Sequence, residues 1–169
     1  MKPGKNEYAE YYEKYIGLLG DQNVMDVLVN FNTTVQLIRT LTPEKAAFVY
    51  APGKWRVKQL IGHVIDTERI MAYRALRIAR NDTQPLPGFD QDEYVKYGNA
   101  QRRSVAELAD EFETVRKSNL FLFSSFNNEE MKRQGTASGY EVTVRALIYI
   151  VAGHELHHVK ILKERYLNI

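Results

Sequence analysis

The sequence predicts an all-α fold, a four-helix bundle with extra short helices, on three observations. Four stretches carry apolar residues at spacings of three and four, the period of an amphipathic helix. No segment alternates with the period of a strand, and no internal repeat competes with the helical pattern. All four histidines fall in the middle of predicted helices, where the facing side chains of a bundle build sites. The 169 residues suit one domain, residues 1–169, with a sizeable core.

The elements follow in order. Between residues 7 and 19, Tyr8, Tyr11, Tyr12, Tyr15, Ile16 and Leu19 give a short amphipathic helix with a tyrosine face, ended by Gly17 and Gly20. Its tyrosines read as lining a pocket or, more plainly, as an arm packed along the bundle. Asp21 is the expected N-cap of the first long helix, whose core face is Val24, Val27, Leu28, Phe31, Val35, Ile38 and Leu41. Thr42-Pro43-Glu44 closes that helix and opens a turn. A loop through Pro52 and Gly53 delivers Trp55, the one tryptophan, to the second long helix, about Val57 to Arg80. On it Leu60, His63, Thr67, Ile70, Met71, Arg74 and Ile78 share a face. Asp66 lies at the edge of that face and Glu68 points away, which is the pattern of helix-surface charge.

Residues 81–98 are rich in turn formers, and a loop of this length in a compact domain is often functional. It reads equally as a lid with Leu86 and Phe89 dipping inward and as a crossover connection, with Asp90 and Asp92 starting a short helix through Tyr94. Ser104 and Glu107 form a capping box for the third long helix, which carries Val105, Leu108, Phe112, Val115, Leu122 and Phe126, with Asn119 as its polar interruption. Residues 127–141 are polar, contain Gly135 and Gly139, and read as a mobile connection. The fourth long helix begins near Thr143 and ends among Lys160, Lys163 and Arg165, cations that suit a helix C-terminus.

Composition removes several function classes. Hydrophobic residues make up 44 % and charged residues 26 %, as in ordinary globular chains. With a net charge of +2 and no basic run, nucleic-acid binding is not expected. No run is long enough to span a bilayer, and no targeting segment stands out, so the expectation is a soluble cytoplasmic protein that does not bind membranes. With no cysteine, any metal must be held by nitrogen and oxygen.

Three of the four histidines lie in Gly153-His154-Glu155-Leu156-His157-His158. Residues four apart are separated by roughly 40° around a helix, so His154 and His158 project together, on the stripe shared with Leu147, Ile150, Val151 and Ile161. Two buried imidazoles need partners for their nitrogens. A divalent cation supplies one, zinc or nickel first and manganese or iron after them. His63, inward on the second long helix, makes a third ligand. Three ligands leave a position open, as in catalytic rather than structural sites. His157 sits at the edge of the stripe and, with Asp66 and Glu155, is a candidate to support the ligands rather than join them.

His154-Glu155-x-x-His158 also matches the metallopeptidase signature in which the glutamate is the general base. Those enzymes take their third ligand downstream, however, and only eleven residues follow His158. Glu155 is open to a role as base or water-orienting group, against the plainer reading of a surface acid. Arg74 and Arg77 have a similar choice, between an anionic substrate and pairing with acids on the helix surface.

The phrases Lys54-Trp55, Leu60-Ile61-Gly62-His63-Val64-Ile65-Asp66-Thr67-Glu68-Arg69, Arg74-Ala75-Leu76-Arg77, Pro85-Leu86-Pro87-Gly88-Phe89-Asp90 and the histidine segment resemble the DinB-like (YfiT-like) superfamily, from Tyr8 onward. The resemblance implies an up-down-down-up bundle and a divalent metal on His63, His154 and His158. It also implies a homodimer, and hydrolysis, thiol-dependent isomerisation or transfer of a low-molecular-weight thiol to a small-molecule substrate.

Two function classes follow. One is a metal-dependent enzyme whose mouth is edged by Trp55 and Phe89. The other is a non-catalytic module in which the metal stabilises a bundle used as a dimer or partner surface.

Overall fold

The computed structural model describes residues 2–169. An N-terminal arm of short 3-10 turns and one α-turn, α1 (Glu13–Ile16), leads into α2 (Val24–Val29), α3 (Asn32–Arg39) and α4 (Pro43–Ala47). The long helix α5 (Val57–Ala79) follows, then α6 (Gln91–Tyr97), α7 (Val105–Ser124) and α8 (Asn128–Lys132). A hairpin of β1 (Gln134–Ala137) and β2 (Tyr140–Thr143) precedes α9 (Val144–Ile161), whose last turns widen over Leu162–Leu167.

The bundle is built from α2 with α3, α5, α7 and α9, and side-chain pairings fix their directions. Lys58, at the start of α5, bonds the Gln101 and Arg103 carbonyls just before α7, and Glu68 pairs with Arg116 one layer further on, so α5 and α7 run parallel. Arg39 meets Asp110 while the Leu28 carbonyl meets Arg116, so α2 and α3 run against α7. Thr34 bonds Glu155 beside the same arginine, and Arg133, ahead of α9, bonds the Ala79 carbonyl at the end of α5; α9 therefore runs against α5. The result is the up-down-down-up order, with residues 80–104 as the crossover that a parallel pair requires.

Local chemistry explains most boundaries. The Gln59 side chain accepts from the Arg56 amide to start α5, and Asn81 ends it in the left-handed conformation, φ 62°. Ser104 and Glu107 cap α7 reciprocally, as expected. Thr143 Oγ1 accepts from the Ala146 amide to start α9, and Asp90 caps α6.

Four expectations are corrected. The first long helix is two helices with a break at Asn30, where the Leu28 carbonyl accepts from Arg116; its cap is Asn23, whose side chain bonds the Met25 amide, and not Asp21. Gly17 does not end the arm, which continues to Leu19 and stops at Gly20 with φ 55°. Residues 127–141 are not an irregular connection, because they hold α8 and the hairpin. Ser138 and Gly139, at φ 54° and 82°, form its two-residue turn, the arrangement that matches strand twist. The crossover is tied to this hairpin, with Leu86 exchanging backbone bonds with Thr136 and Ser138.

Apolar side chains fall into two clusters. One gathers Ile16, Leu19, Leu28, Ala75, Ile148 and Val151; the other gathers Val35, Ile38, Val57, Leu60, Leu108, Phe112 and Leu162. Along every bundle helix a polar layer separates them, and its centre is Arg116. This side chain is fully buried. Its Nε and Nη2 donate to the two Glu68 oxygens at 2.9 and 2.8 Å, and Nη1 reaches Glu155 at 2.8 Å and the Leu28 carbonyl at 3.2 Å. Thr34 donates to Glu155 and Asn119 to Glu68.

The surface-acid reading of Glu68 and Glu155 is therefore corrected, since both are buried ion-pair partners. One guanidinium ties four helices together. Removing it strands two carboxylates in the core, which costs about 3–5 kcal/mol when one member of a buried pair is lost. Arg116→Met is expected to lower the urea midpoint by that order, and adding Glu68→Gln and Glu155→Gln is expected to restore part of it.

Candidate metal centre

Helices α5 and α9 face each other through the polar layer, and this places three imidazoles together. The Nε2 atoms of His63 and His154 are 3.0 Å apart, and those of His158 and His154 are 3.1 Å apart. All three side chains are buried, and one nitrogen from each lies within 4.8 Å of the others. His154 and His158 converge because they are one helical turn apart. His63 meets them because α5 and α9 are antiparallel neighbours.

Neutral imidazoles alone do not satisfy this geometry. His154 Nε2 carries either one hydrogen or one lone pair, so it makes one good bond and not two. A shared cation meets three lone pairs at once. In tetrahedral coordination at the usual zinc–nitrogen length, ligand nitrogens lie about 3.3 Å apart, close to the distances seen here. The residues fit a divalent metal.

Burial pushes the His63 imidazole down to about 4 and that of His158 down to about 3, with neighbouring histidines adding to the shift at His158. The enclosed His154 is lowered strongly, by burial first and then by the other imidazoles. All three are therefore neutral at pH 7, the form that ligates metal.

The arm covers the centre from one side. The Tyr15 ring packs edge-on against His154 and His157, at 5.2 Å from each. Its backbone reaches that close because residue 153 is glycine, where a Cβ would lie 2.2 Å from the Tyr15 carbonyl oxygen. Tyr15 comes from the tyrosine face that the sequence offers as arm or pocket lining, and the glycine interrupting an otherwise apolar helical run is a signal for close backbone approach. Trp55 lies on another side, its ring 4.7 Å from that of His63 and its Nε1 bonded to Asp92. The Tyr166 hydroxyl holds the Trp55 carbonyl at 2.7 Å.

A cavity of about 220 Å³ opens onto His63 and His154, and Phe89, Thr67, Met71 and three tyrosines line it. A second depression, beside His157 and His158, includes Trp55. Phe89 lines the first and Trp55 the second, and the two adjoin through Tyr11, Tyr15 and Gln91.

The supporting candidates are placed less favourably. Asp66 is half-buried and approaches Arg69 at 3.9 Å, with no bond to an imidazole among the described residues. The Glu155 oxygens are engaged by Thr34 and Arg116. His157 is half-buried against Tyr15 and His158. His158 Nδ1 is buried without a hydrogen-bond partner. The expected surface pairing holds for Arg77, which meets Asp82 and Tyr73. It fails for Arg74, which is buried.

An antiparallel–parallel bundle with a buried three-histidine cluster between its second and fourth long helices defines a class of helical proteins with a candidate metal site in the bundle core. Comparison with known proteins identifies the family within it: the DinB superfamily profile matches residues 29–162, and the chain belongs to that superfamily. It is 24% identical over 134 residues to a protein of Oceanobacillus iheyensis named "Putative metal-dependent hydrolase OB0413", covering 78% of this chain and 76% of that one. Its fold is similar to that of YfiT from Bacillus subtilis, with a TM-score of 0.73 and 16% identity over 98% of this chain and 93% of the other. That structure is described as a probable metal-dependent hydrolase with an unusual four-helix bundle topology. No described helix is long and apolar enough to cross a membrane.

Two outcomes test the geometry. In metal-free protein, the unfolded histidines take up protons below pH 6.5, while folded His63 and His158 wait until about 4 and about 3. Stability contributed by these groups is therefore complete above pH 6.5 and lost as pH falls through that window. Urea midpoints measured from pH 7.5 to 4.5 are expected to fall more steeply for the wild type than for His63→Leu. Gly153→Ala is expected to cost about 1–3 kcal/mol as the arm is pushed away, seen as a lower melting temperature and faster proteolysis before residue 20.

Proposed function

We propose that this chain is a metal-dependent enzyme acting on a small molecule. In this reading His63, His154 and His158 hold a zinc or nickel ion that activates either water for hydrolysis or a low-molecular-weight thiol for S-transfer. The observation that carries it is the cluster of three converging imidazoles beside a cavity, with no fourth histidine or acid joining them among the described residues. A structural zinc site commonly fills all four positions with protein, whereas a catalytic one keeps one free. The names borne by the relatives agree with this.

When bound, the cation supplies Lewis acidity, lowering the pKa of a coordinated nucleophile and polarising a carbonyl. The protein's own groups do the rest. Burial keeps the three imidazoles neutral and excludes competing water. Thr67, whose hydroxyl is buried without a partner next to His63 in the cavity wall, offers a hydrogen bond to a group bound there. Glu155 does not serve as base, because Arg116 and Thr34 hold its oxygens and the ion pair fixes it as a carboxylate of the scaffold. His157, half-buried beside His158 and held below its ordinary pKa by burial and then by Lys14 and Lys160, is the neutral group placed to pass a proton to solvent.

Elemental analysis of untagged protein is expected to find about one ion per chain. His63→Ala is expected to abolish it and His157→Ala to keep it while lowering turnover. Full occupancy in both variants would remove His63 from the ligand set. No uptake of zinc, nickel or manganese by the wild type would make the three histidines structural and overturn the metal-dependent reading.

A further inference from the structure

Arg74 is as buried as Arg116, but its surroundings are of a different kind. Its guanidinium donates to the Pro87 carbonyl at 2.7 Å and the Ser138 hydroxyl at 3.0 Å, touches the Met71 sulfur at 3.7 Å, and lies 5.8 Å from the Phe89 ring centre. All four partners are neutral. The other well-buried arginine, Arg116, bonds carboxylates, and half-buried Arg145 is paired with Glu7. Arg74 has no carboxylate within the 4.0 Å of an ion pair among the described residues. Sheltering an unpaired cation is costly, and for packing alone an apolar side chain of similar size would serve better.

The neighbours of this cation show where an anion would reach it. Ser138, Met71, Phe89 and Tyr12 all line the cavity that opens onto His63 and His154. On α5, His63, Thr67, Met71 and Arg74 occupy successive turns of one face, and helical side chains lean toward the N-terminus, so the guanidinium reaches back to Met71 and, with Ser138, stands directly behind the cavity wall. The Tyr12 phenol feels it: burial raises that group, and the nearby Arg74 charge pulls it the other way. A second polar group lies close by, since Thr67 lines the cavity beside His63 and its Oγ1 is enclosed at that wall with no partner among the described residues.

We propose that this cavity binds a small organic anion, with its carboxylate on Arg74 beside the Ser138 hydroxyl and its apolar body against Met71, Phe89 and Ile150. Its other end, the reacting group, lies at the three histidines, and this part rests on the metal-dependent reading above. The anion end stands on Arg74 alone. A cavity of about 220 Å³ is smaller than the roughly 300–1,000 Å³ of sites for drug-sized ligands, which sets the occupant's class as a compact carboxylate with a short apolar chain. The hairpin and the crossover, joined through Leu86, act together to present Ser138 and Pro87 to the guanidinium.

The test is an NMR titration of linear carboxylates of four to eight carbons against the alcohols of equal length. It is run on wild type, Arg74→Met and Arg74→Lys, each in chelator and with zinc. The wild type is expected to prefer at least one carboxylate over its alcohol by tenfold or more. Arg74→Met is expected to lose that preference while alcohol affinity stays, and Arg74→Lys to keep part of it. No preference at any length, or a preference that survives Arg74→Met, overturns the proposal. Arg74-dependent carboxylate binding in a protein that takes up no zinc would refute the metal reading and leave the anion site standing. Zinc uptake with no carboxylate preference would do the reverse. Should Arg74→Met fail to fold, Ser138→Gly removes the hydroxyl and keeps the left-handed turn. That variant is expected to weaken carboxylate binding about threefold with alcohol binding unchanged, and unchanged carboxylate binding would count against the site.

Discussion

A single buried cation holds the architecture in register. Arg116 is fully enclosed, and its three nitrogens make four contacts to groups from three other helical segments: Glu68 on α5, Glu155 on α9 and the Leu28 carbonyl on α2. Arginine is the residue for this task because its fork is rigid and always charged, so it bonds one carboxylate through two nitrogens and still reaches a second. Buried ion pairs are poor sources of net stability, since desolvating the charges offsets most of their attraction. They are good sources of specificity. A slip of any one helix by a turn would leave a carboxylate uncompensated between two apolar clusters.

That constraint reaches the histidines through covalent neighbours. Glu155 follows His154 directly and lies three residues before His158, while Glu68 lies five residues after His63. Fixing the rotation and height of α5 and α9 through their glutamates therefore fixes where the imidazoles meet. Tyr15 then closes the cluster from the arm, at a distance only Gly153 allows. The histidine cluster and the ion-pair network share the one polar layer of the bundle, with an apolar cluster on each side.

What was legible in the sequence was whatever depends on period. Three imidazoles facing inward, the bundle helices, the Ser104 capping box and the short helix at Asp90 all follow from spacing and cap chemistry within a few residues. Glu68 and Glu155 were misread because a helical wheel reports one face per helix, and both residues lie off the stripe of their own helix on a side that a third helix covers. Their partner Arg116 is far away in the sequence, so no local pattern pairs them. The hairpin was missed for a related reason. Each strand has four residues and pairs with the other, β1 also bridging Leu86; the local signal is the Ser138-Gly139 turn rather than an alternating run. The break at Asn30 is likewise tertiary in origin, because the exposed carbonyl it leaves at Leu28 has its use in Arg116.

Arg116 and Arg74 together separate structure from function in the same core. Both are long cations withdrawn from water, and a helical wheel puts Arg74 on the inward face of α5 while leaving its partner open. Arg116 is over-supplied, with two carboxylates and a carbonyl around one charge, as expected of a group whose work is finished when the chain folds. Arg74 is under-supplied: its hydrogen bonds are met by a carbonyl and a hydroxyl, yet its charge is not met at all. A bundle tolerates such a deficit only where something else completes it or where the cost is small beside the benefit of a charged wall. The deficit lies behind Met71 and Ser138, in the wall of the cavity that opens onto His63 and His154, so a molecule entering there would feel a fixed positive charge toward one end and neutral imidazoles at the other. An asymmetry of that kind orients a ligand before any chemistry begins.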